Sequence, residues 1–140
     1  MFTKIMAPVD LSHVDRLGRA LGVAADLACH YDIAVVYVAV TAPTPGPHGH
    51  TPEEFAQTLA AFAADQAAQH GHRAEAHAMV TPDPAIDLDG TLLEARHQIG
   101  ADLVVVASHV PGATGYLFPS HGGKLASHSK VSVMVVREEG

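Results

Sequence analysis

The sequence predicts an α/β fold: a single open five-stranded parallel sheet, in the strand order 3-2-1-4-5, with helices on both faces. Three observations predict it. Strand-like and helix-like segments alternate along the chain, with no repeat and no linker between them. Two strand-like runs, residues 33–40 and 101–107, are apolar nearly throughout, as expected of strands covered on both sides. The intervening stretches are long enough to hold helices, which right-handed crossovers between parallel strands require. At 140 residues the chain suits one domain, spanning 1–140, with a real core.

The elements follow in order. Residues 3–9 form a short apolar strand that ends at Asp10. Ser12, with Asp15 three residues later, resembles a capping box. Leu17, Leu21, Ala24 and Ala28 then make one helical stripe. Residues 33–40 form the second strand, and 41–50, with three prolines and two glycines, form a loop. Thr51, Pro52 and Glu54 supply a cap, a first-turn proline and a capping-box acid for a helix that buries Phe55, Leu59 and Phe62 and stops near Gly71. Residues 73–80 are a weaker, more polar strand suited to an edge. Leu88, Leu92, Ala95 and Ile99 mark a further helix ended by Gly100. Residues 101–107 are the strongest strand, a short helix is expected around 122–129, and 131–137 form the last strand.

Composition excludes several function classes. Net charge is −7 with histidine neutral, and Lys plus Arg total 8, which argues against nucleic acid as a partner. The single cysteine, Cys29, excludes an intrachain disulfide and is expected to be a small buried hydrophobe on a helix, in a reducing compartment. No uncharged apolar run is long enough to enter and span a bilayer, and the start is too short for a signal peptide, so a cytoplasmic location is expected.

Two motifs look like chemistry and are read otherwise. Ile86-Asp87-Leu88-Asp89-Gly90-Thr91 spells the nucleophile signature of haloacid dehalogenase-type phosphatases, which needs a buried strand just upstream. Thr81-Pro82-Asp83-Pro84 stands there instead, prolines are excluded from central strands, and the same residues continue a helical stripe. Among 11 histidines, His48-Gly49-His50 and His70-Gly71-His72 look like metal-ligand pairs, yet both fall in predicted loops and are read as solvated.

The strand ends point to a site. In open α/β sheets, ligands sit beyond the carboxyl ends of strands, where the order reverses. Here those ends are Pro8-Val9-Asp10, Val38 to Val40, and Ala107-Ser108-His109, the last opening a loop that reaches Pro119-Ser120-His121-Gly122-Gly123. A strand leading through a loop into a helix N-terminus is a way to bind an anion.

At this point the chain resembles the universal stress protein family over essentially its whole length. The resemblance rests on Lys4-Ile5-Met6-Ala7-Pro8-Val9-Asp10-Leu11-Ser12, on residues 101–109, and on the end Val131-Ser132-Val133-Met134-Val135-Val136-Arg137. It implies an adenine nucleotide alpha-hydrolase-like fold and, in one branch, ATP binding through Gly-x2-Gly-x9-Gly-Ser/Thr. This chain places Ala107, Val110, Pro119 and Ser120 at those positions, with one residue fewer in the loop, so only the hydroxyl remains. Val110 resists the positive φ that glycine allows, and Pro119 removes a backbone donor. A subclass reading Ala-Ser-His-Arg-Pro is similar here through Pro111, Tyr116, Leu117 and His128, and Gly112, Gly115, Gly122 and Gly123 offer flexibility at shifted positions.

The resemblance implies a ligand, ATP or AMP, with Mg²⁺ only alongside it. Pro8, Val9 and Asp10 would meet the adenosine end, and the Val38 backbone would pair with adenine. Ala107, Ser108 and His109 would line the phosphate side, and Pro119, Ser120, His121 and Gly122 would form the phosphate loop, with Lys124 near. Each has a plainer reading: Asp10 as a cap on the next helix, His109 as a loop histidine held by a carbonyl. The last strand would lie at an edge, where pairing with its twin through Val131 to Arg137 gives a homodimer.

The leading function is an adenine-nucleotide-binding stress or regulatory protein with little or no turnover, serving an unknown regulated protein. The alternative is a dimeric interaction module of this fold without nucleotide. A weak ATPase or phosphatase is third, because no base, metal-carboxylate cluster and catalytic lysine assemble from the sequence.

Overall fold

A computed structural model describes residues 1–108 and 131–137. Five strands, β1 (Ile5–Pro8), β2 (Val35–Thr41), β3 (Ala74–Val80), β4 (Leu103–Ala107) and β5 (Ser132–Val136), form one sheet. All adjacent pairs are parallel, in the order β3-β2-β1-β4-β5. The connecting helices are α1 (Gly18–Tyr31), α2 (Pro52–His70) and α3 (Pro84–Ile99). The chain steps outward from β1 to β3 and then crosses back to β4. With right-handed crossovers, that reversal places α1 and α2 on one face and α3 on the other. The packing agrees: α1 touches α2, and among the described residues α3 touches neither. The segment 109–130, with the expected short helix and with His109, Pro119, Ser120, His121 and Gly122, lies outside the described residues.

The core follows from the apolar runs. Ile5, Met6, Val35, Val36, Tyr37, Val38, Val104, Val105 and Val106 are buried in the three central strands. Helix ends form as the residue types dictate. The N–H of Glu54 donates to Thr51 Oγ1 at 3.1 Å, and the N–H of Ile86 donates to Asp83 Oδ1 at 3.3 Å. Gly71 and Gly100 close α2 and α3 at φ 76° and 71°, a region that glycine enters without strain.

At their amino ends β1 and β4 are tied by Asp102. Its carboxylate accepts from the N–H of Thr3 at 3.0 and 3.1 Å, from the N–H of Lys4 at 3.2 Å and from the Thr3 hydroxyl at 3.0 Å. Partial burial pulls the carboxyl pKa upward, but these donors outweigh it and hold the group below the usual carboxylate range. At their carboxyl ends the two strands part. The N–H groups of Ile5 and Val9 donate to Ala34 and Val38 on the β2 side, so the alternate residue Pro8 faces β4. Proline has no N–H to give there. Accordingly the β1–β4 register stops at Met6↔Val104, whereas β1–β2 runs on to Pro8↔Val38.

Three expectations are corrected. The capping box at Ser12 and Asp15 does not form. A 3-10 turn (Val14–Arg16) intervenes, and α1 starts at Gly18 behind Leu17, which makes no side-chain cap. The reason is Asp10, whose Oδ1 accepts the Ser12 N–H at 2.8 Å and so holds the chain in a turn. Cys29 is exposed rather than buried, with Sγ 3.9 Å from the carbonyls of His70 and Gly71. His70 ends α2 instead of lying in a loop, and His72 is buried, its Nε2 hydrogen-bonded to the Tyr37 hydroxyl at 2.9 Å.

The environment of His72 makes it a liability in acid. Burial first, and the neighbouring His70 second, lower its pKa from the usual 6.5. Burial pushes the Tyr37 phenol up, so no anion there compensates an imidazolium. The folded state therefore takes up a proton less readily than the unfolded chain. The neutral-ring advantage is complete above pH 6.5 and is lost as pH falls toward the lowered value. At pH 7.5, His72→Phe is expected to cost about 1–2 kcal/mol through the lost Tyr37 bond. That gap, read from denaturant unfolding, is expected to shrink on going to pH 5.5; a constant gap would contradict the assignment.

Candidate functional site

Because β1 turns away after Val9 while β2 continues to Thr41, the sheet has a step at its carboxyl edge. Val35 and Thr41 of β2 bond toward β3, and Ala34 and Val38 bond toward β1. By the same alternation the amide and carbonyl of Val40 face the β1 side, past the point where β1 has ended. They meet no strand there among the described residues.

A cavity of about 460 Å³ lies over this step. That is within the range of roughly 300–1,000 Å³ typical of small-molecule sites. Its floor is Pro8, Val9, Val38 and Val40, and α3 supplies Pro84, Leu88 and Leu92. The far wall is a strap, residues 42–48, whose three prolines limit its backbone freedom. The strap is closed on itself by paired backbone bonds between Gly46 and Gly49, at 3.0 and 3.3 Å. Thr58 of α2 pins it by donating its hydroxyl to the His48 carbonyl at 2.9 Å. Gly49 sits so close to α2 that a Cβ there would lie 2.5 Å from the Phe55 amide nitrogen.

The polar groups gather at one lip. Asp10 Oδ2 lies 3.4 Å from His13 Nδ1, and Ser12 Oγ is 3.0 Å from His48 Nε2. This last bond joins strap to turn across 36 positions of sequence. Among the described residues Asp10 is the only Asp or Glu lining the cavity, and none of Lys4, Arg16, Arg19, Arg73, Arg96 and Arg137 lines it. No group of three or more His, Cys, Asp or Glu able to hold a metal occurs among the described residues.

Of the residues singled out from sequence, Pro8, Val9, Asp10 and Val38 come together in this cavity. The Val38 carbonyl accepts the Val9 N–H at 2.8 Å, so its backbone is engaged in the ladder. Ala107 and Ser108 are buried at the end of β4 and are not part of its lining; the Ser108 N–H donates to Val136 at 2.8 Å. His109, Pro119, Ser120, His121 and Gly122 lie outside the described residues. The phosphatase-like motif is inside α3, with Asp87 exposed and 3.4 Å from the Thr81 hydroxyl, so it presents no nucleophile at a strand end. Sequence reasoning placed Val40 at a strand end facing the site without giving it a role, and it missed the strap, including His48. The signal for Val40 is the turn chemistry of Asp10-Leu11-Ser12, which ends the first strand while the second apolar run continues to residue 40.

The universal stress protein family model matches residues 1–137. The chain belongs to that family. Solved universal stress proteins share its fold. One from Archaeoglobus fulgidus is 22% identical, with a TM-score of 0.67, over 96% of this chain and 98% of its own. Another from the same organism, in complex with dAMP, is 20% identical with a TM-score of 0.64, covering 95% and 96%. A family protein from Arabidopsis thaliana with AMP bound is 15% identical with a TM-score of 0.67, covering 99% and 93%. Among the described residues, no helix of this universal stress protein is long and apolar enough to cross a membrane.

The strap gives a direct check of the site geometry. Gly49→Ala is expected to destabilise the protein by about 1–3 kcal/mol, because backbone rather than a flexible side chain must yield. Gly46→Ala, which meets nothing within 4 Å, is the matched control in chemical denaturation. Equal stabilities for the two variants would show that the strap does not pack as described.

Proposed function

We propose that this universal stress protein binds an adenine nucleotide, AMP or ATP, in the cavity over the β1–β2 step, in a regulatory rather than catalytic role. The observation that carries the reading is the Val40 backbone. Its N–H and C=O form a donor–acceptor pair on the cavity side of β2, next to apolar surfaces that suit a flat base. Adenine offers the complementary pair, an acceptor at N1 and a donor at N6, whereas guanine presents the reverse order at its matching edge. Asp10, at the lip, suits ribose hydroxyls, which donate to a carboxylate. The AMP and dAMP complexes of similar proteins support the same class of ligand. The phosphates would extend toward residues 107–122, where Ser108, His109, Ser120 and His121 stand in the sequence, and any Mg²⁺ would accompany them.

Calorimetric titration tests this reading. Adenosine and AMP are expected to bind, and guanosine to bind roughly 10–100-fold more weakly, the effect of mispairing one or two buried polar groups. Leu88→Trp, which fills the cavity from α3, is expected to abolish adenosine binding while circular dichroism shows an intact fold. Adenosine binding unaffected by that substitution would place the ligand elsewhere.

The reading also carries a homodimer through Val131 to Arg137. On the outer strand β5, Met134 and Val135 are 39% and 42% exposed, an apolar edge that pairing with a second copy would cover. Val135→Glu is expected to give a monomer in sedimentation velocity; an unchanged dimer would move the interface to another surface.

A further inference from the structure

Asp10 lines the cavity from a turn rather than from a strand. The turn is closed locally: the His13 N–H donates to the Asp10 carbonyl at 3.0 Å, and the Ser12 N–H donates to Asp10 Oδ1 at 2.8 Å. A tie to a distant segment comes through the Ser12 hydroxyl, 3.0 Å from His48 Nε2, a bond that either tautomer of the ring can make. His48 is itself held at the backbone. Its carbonyl accepts the Thr58 hydroxyl of α2 at 2.9 Å. The next residue, Gly49, approaches the α2 backbone so closely that a Cβ there would lie 2.5 Å from the Phe55 nitrogen. A continuous path of contacts therefore runs from α2 through His48 and Ser12 to the one carboxylate of the described lining.

We propose that His48 and Ser12 are positioning residues for the ribose: His48, anchored on α2, fixes Ser12, and Ser12 fixes the Asp10 carboxylate so that it meets the 2′- and 3′-hydroxyls. The inference rests on the adenine-nucleotide reading above and adds to it what sets the strength of the sugar contact. Hydrogen bonds weaken steeply when donor and acceptor are misaligned, so a carboxylate free to turn gives back much of what a ribose bond supplies. Asp10 Oδ1 is oriented by the Ser12 N–H, while Oδ2, 3.4 Å from His13 Nδ1, keeps lone pairs for a sugar donor. The Asp10 side chain is 19% exposed, which limits competition from water for those lone pairs. The path from α2 is made by the chain alone, so a ligand does not have to order the carboxylate as it binds.

Two nucleosides that share a base and differ at the sugar test this on the whole protein. Adenosine carries both hydroxyls, and 2′,3′-dideoxyadenosine carries neither. In calorimetric titrations the parent is expected to prefer adenosine by roughly tenfold or more, the effect of hydrogen bonds to a charged acceptor. His48→Phe and Ser12→Ala each remove the tie. Each is expected to lower that preference about fivefold, by weakening adenosine while dideoxyadenosine stays within about twofold. The double variant is expected to lose no more than either single one, since both break the same link. Ser12→Ala keeps the N–H that Asp10 accepts, so it carries the test should His48→Phe misfold. A preference undiminished in the folded variants, an equal loss for both nucleosides, or fully additive losses would overturn the positioning role. Equal binding of the two nucleosides by the parent would take Asp10 away from the ribose, and the relay with it, while leaving the base reading in place. Failure of both nucleosides to bind would instead overturn the nucleotide reading itself.

Discussion

A single missing hydrogen, the absent N–H of Pro8, shapes the working end of this protein. In a parallel sheet each residue bonds alternately left and right, so a proline silences one side and spares the other. At Pro8 the silenced side is β4, and pairing there ends two residues earlier than pairing with β2. Asp102 supplies the opposite constraint at the amino ends, where Thr3 and Lys4 are bound to its carboxylate. The two together make β1 a strand gripped at one end and released at the other. The cavity, the Val40 edge and the turn at Asp10 all sit at the released end.

Around that opening, local pairings add to the core residues Val9, Val38, Phe55 and Leu92. The strap is stiffened by proline, folded on itself at Gly46 and Gly49, and fastened to α2 through Thr58 and the close approach of Gly49. Asp10 illustrates how one group serves structure and site together. Its Oδ1 caps the turn at Ser12, and its Oδ2 meets His13, yet the carboxylate still borders the cavity. A carboxylate has about four lone-pair directions, so capping does not exhaust it. The structural and functional readings of this residue are compatible.

Much of the fold was legible in the sequence because it depends on periodicity. Strand positions, the edge placement of β3 and the capped start of α2 follow from residues a few positions apart, such as Thr51 with Glu54. Contacts between distant segments were not legible. Ser12 looked like a helix cap, but a local Asx turn at Asp10, two residues back, competes for its N–H, and its hydroxyl meets His48, 36 positions away. His72 looked like a solvated loop residue because its burial depends on Tyr37, 35 positions away. Whether the Val38 backbone is open depends on where β1 stops, and its carbonyl is taken by the Val9 N–H. Of Ala107, Val110 and Pro119, where the resemblance led one to expect glycine, only Ala107 falls within the described residues.

The uneven grip on β1 has a mechanical side. β2 with β3, and β4 with β5, are laddered along their lengths, while β1 meets β4 through just two register pairs. The β1–β4 seam, bound at its amino end through Asp102, therefore has the fewest strand-to-strand pairs in the sheet, and it opens toward the carboxyl edge where the cavity lies.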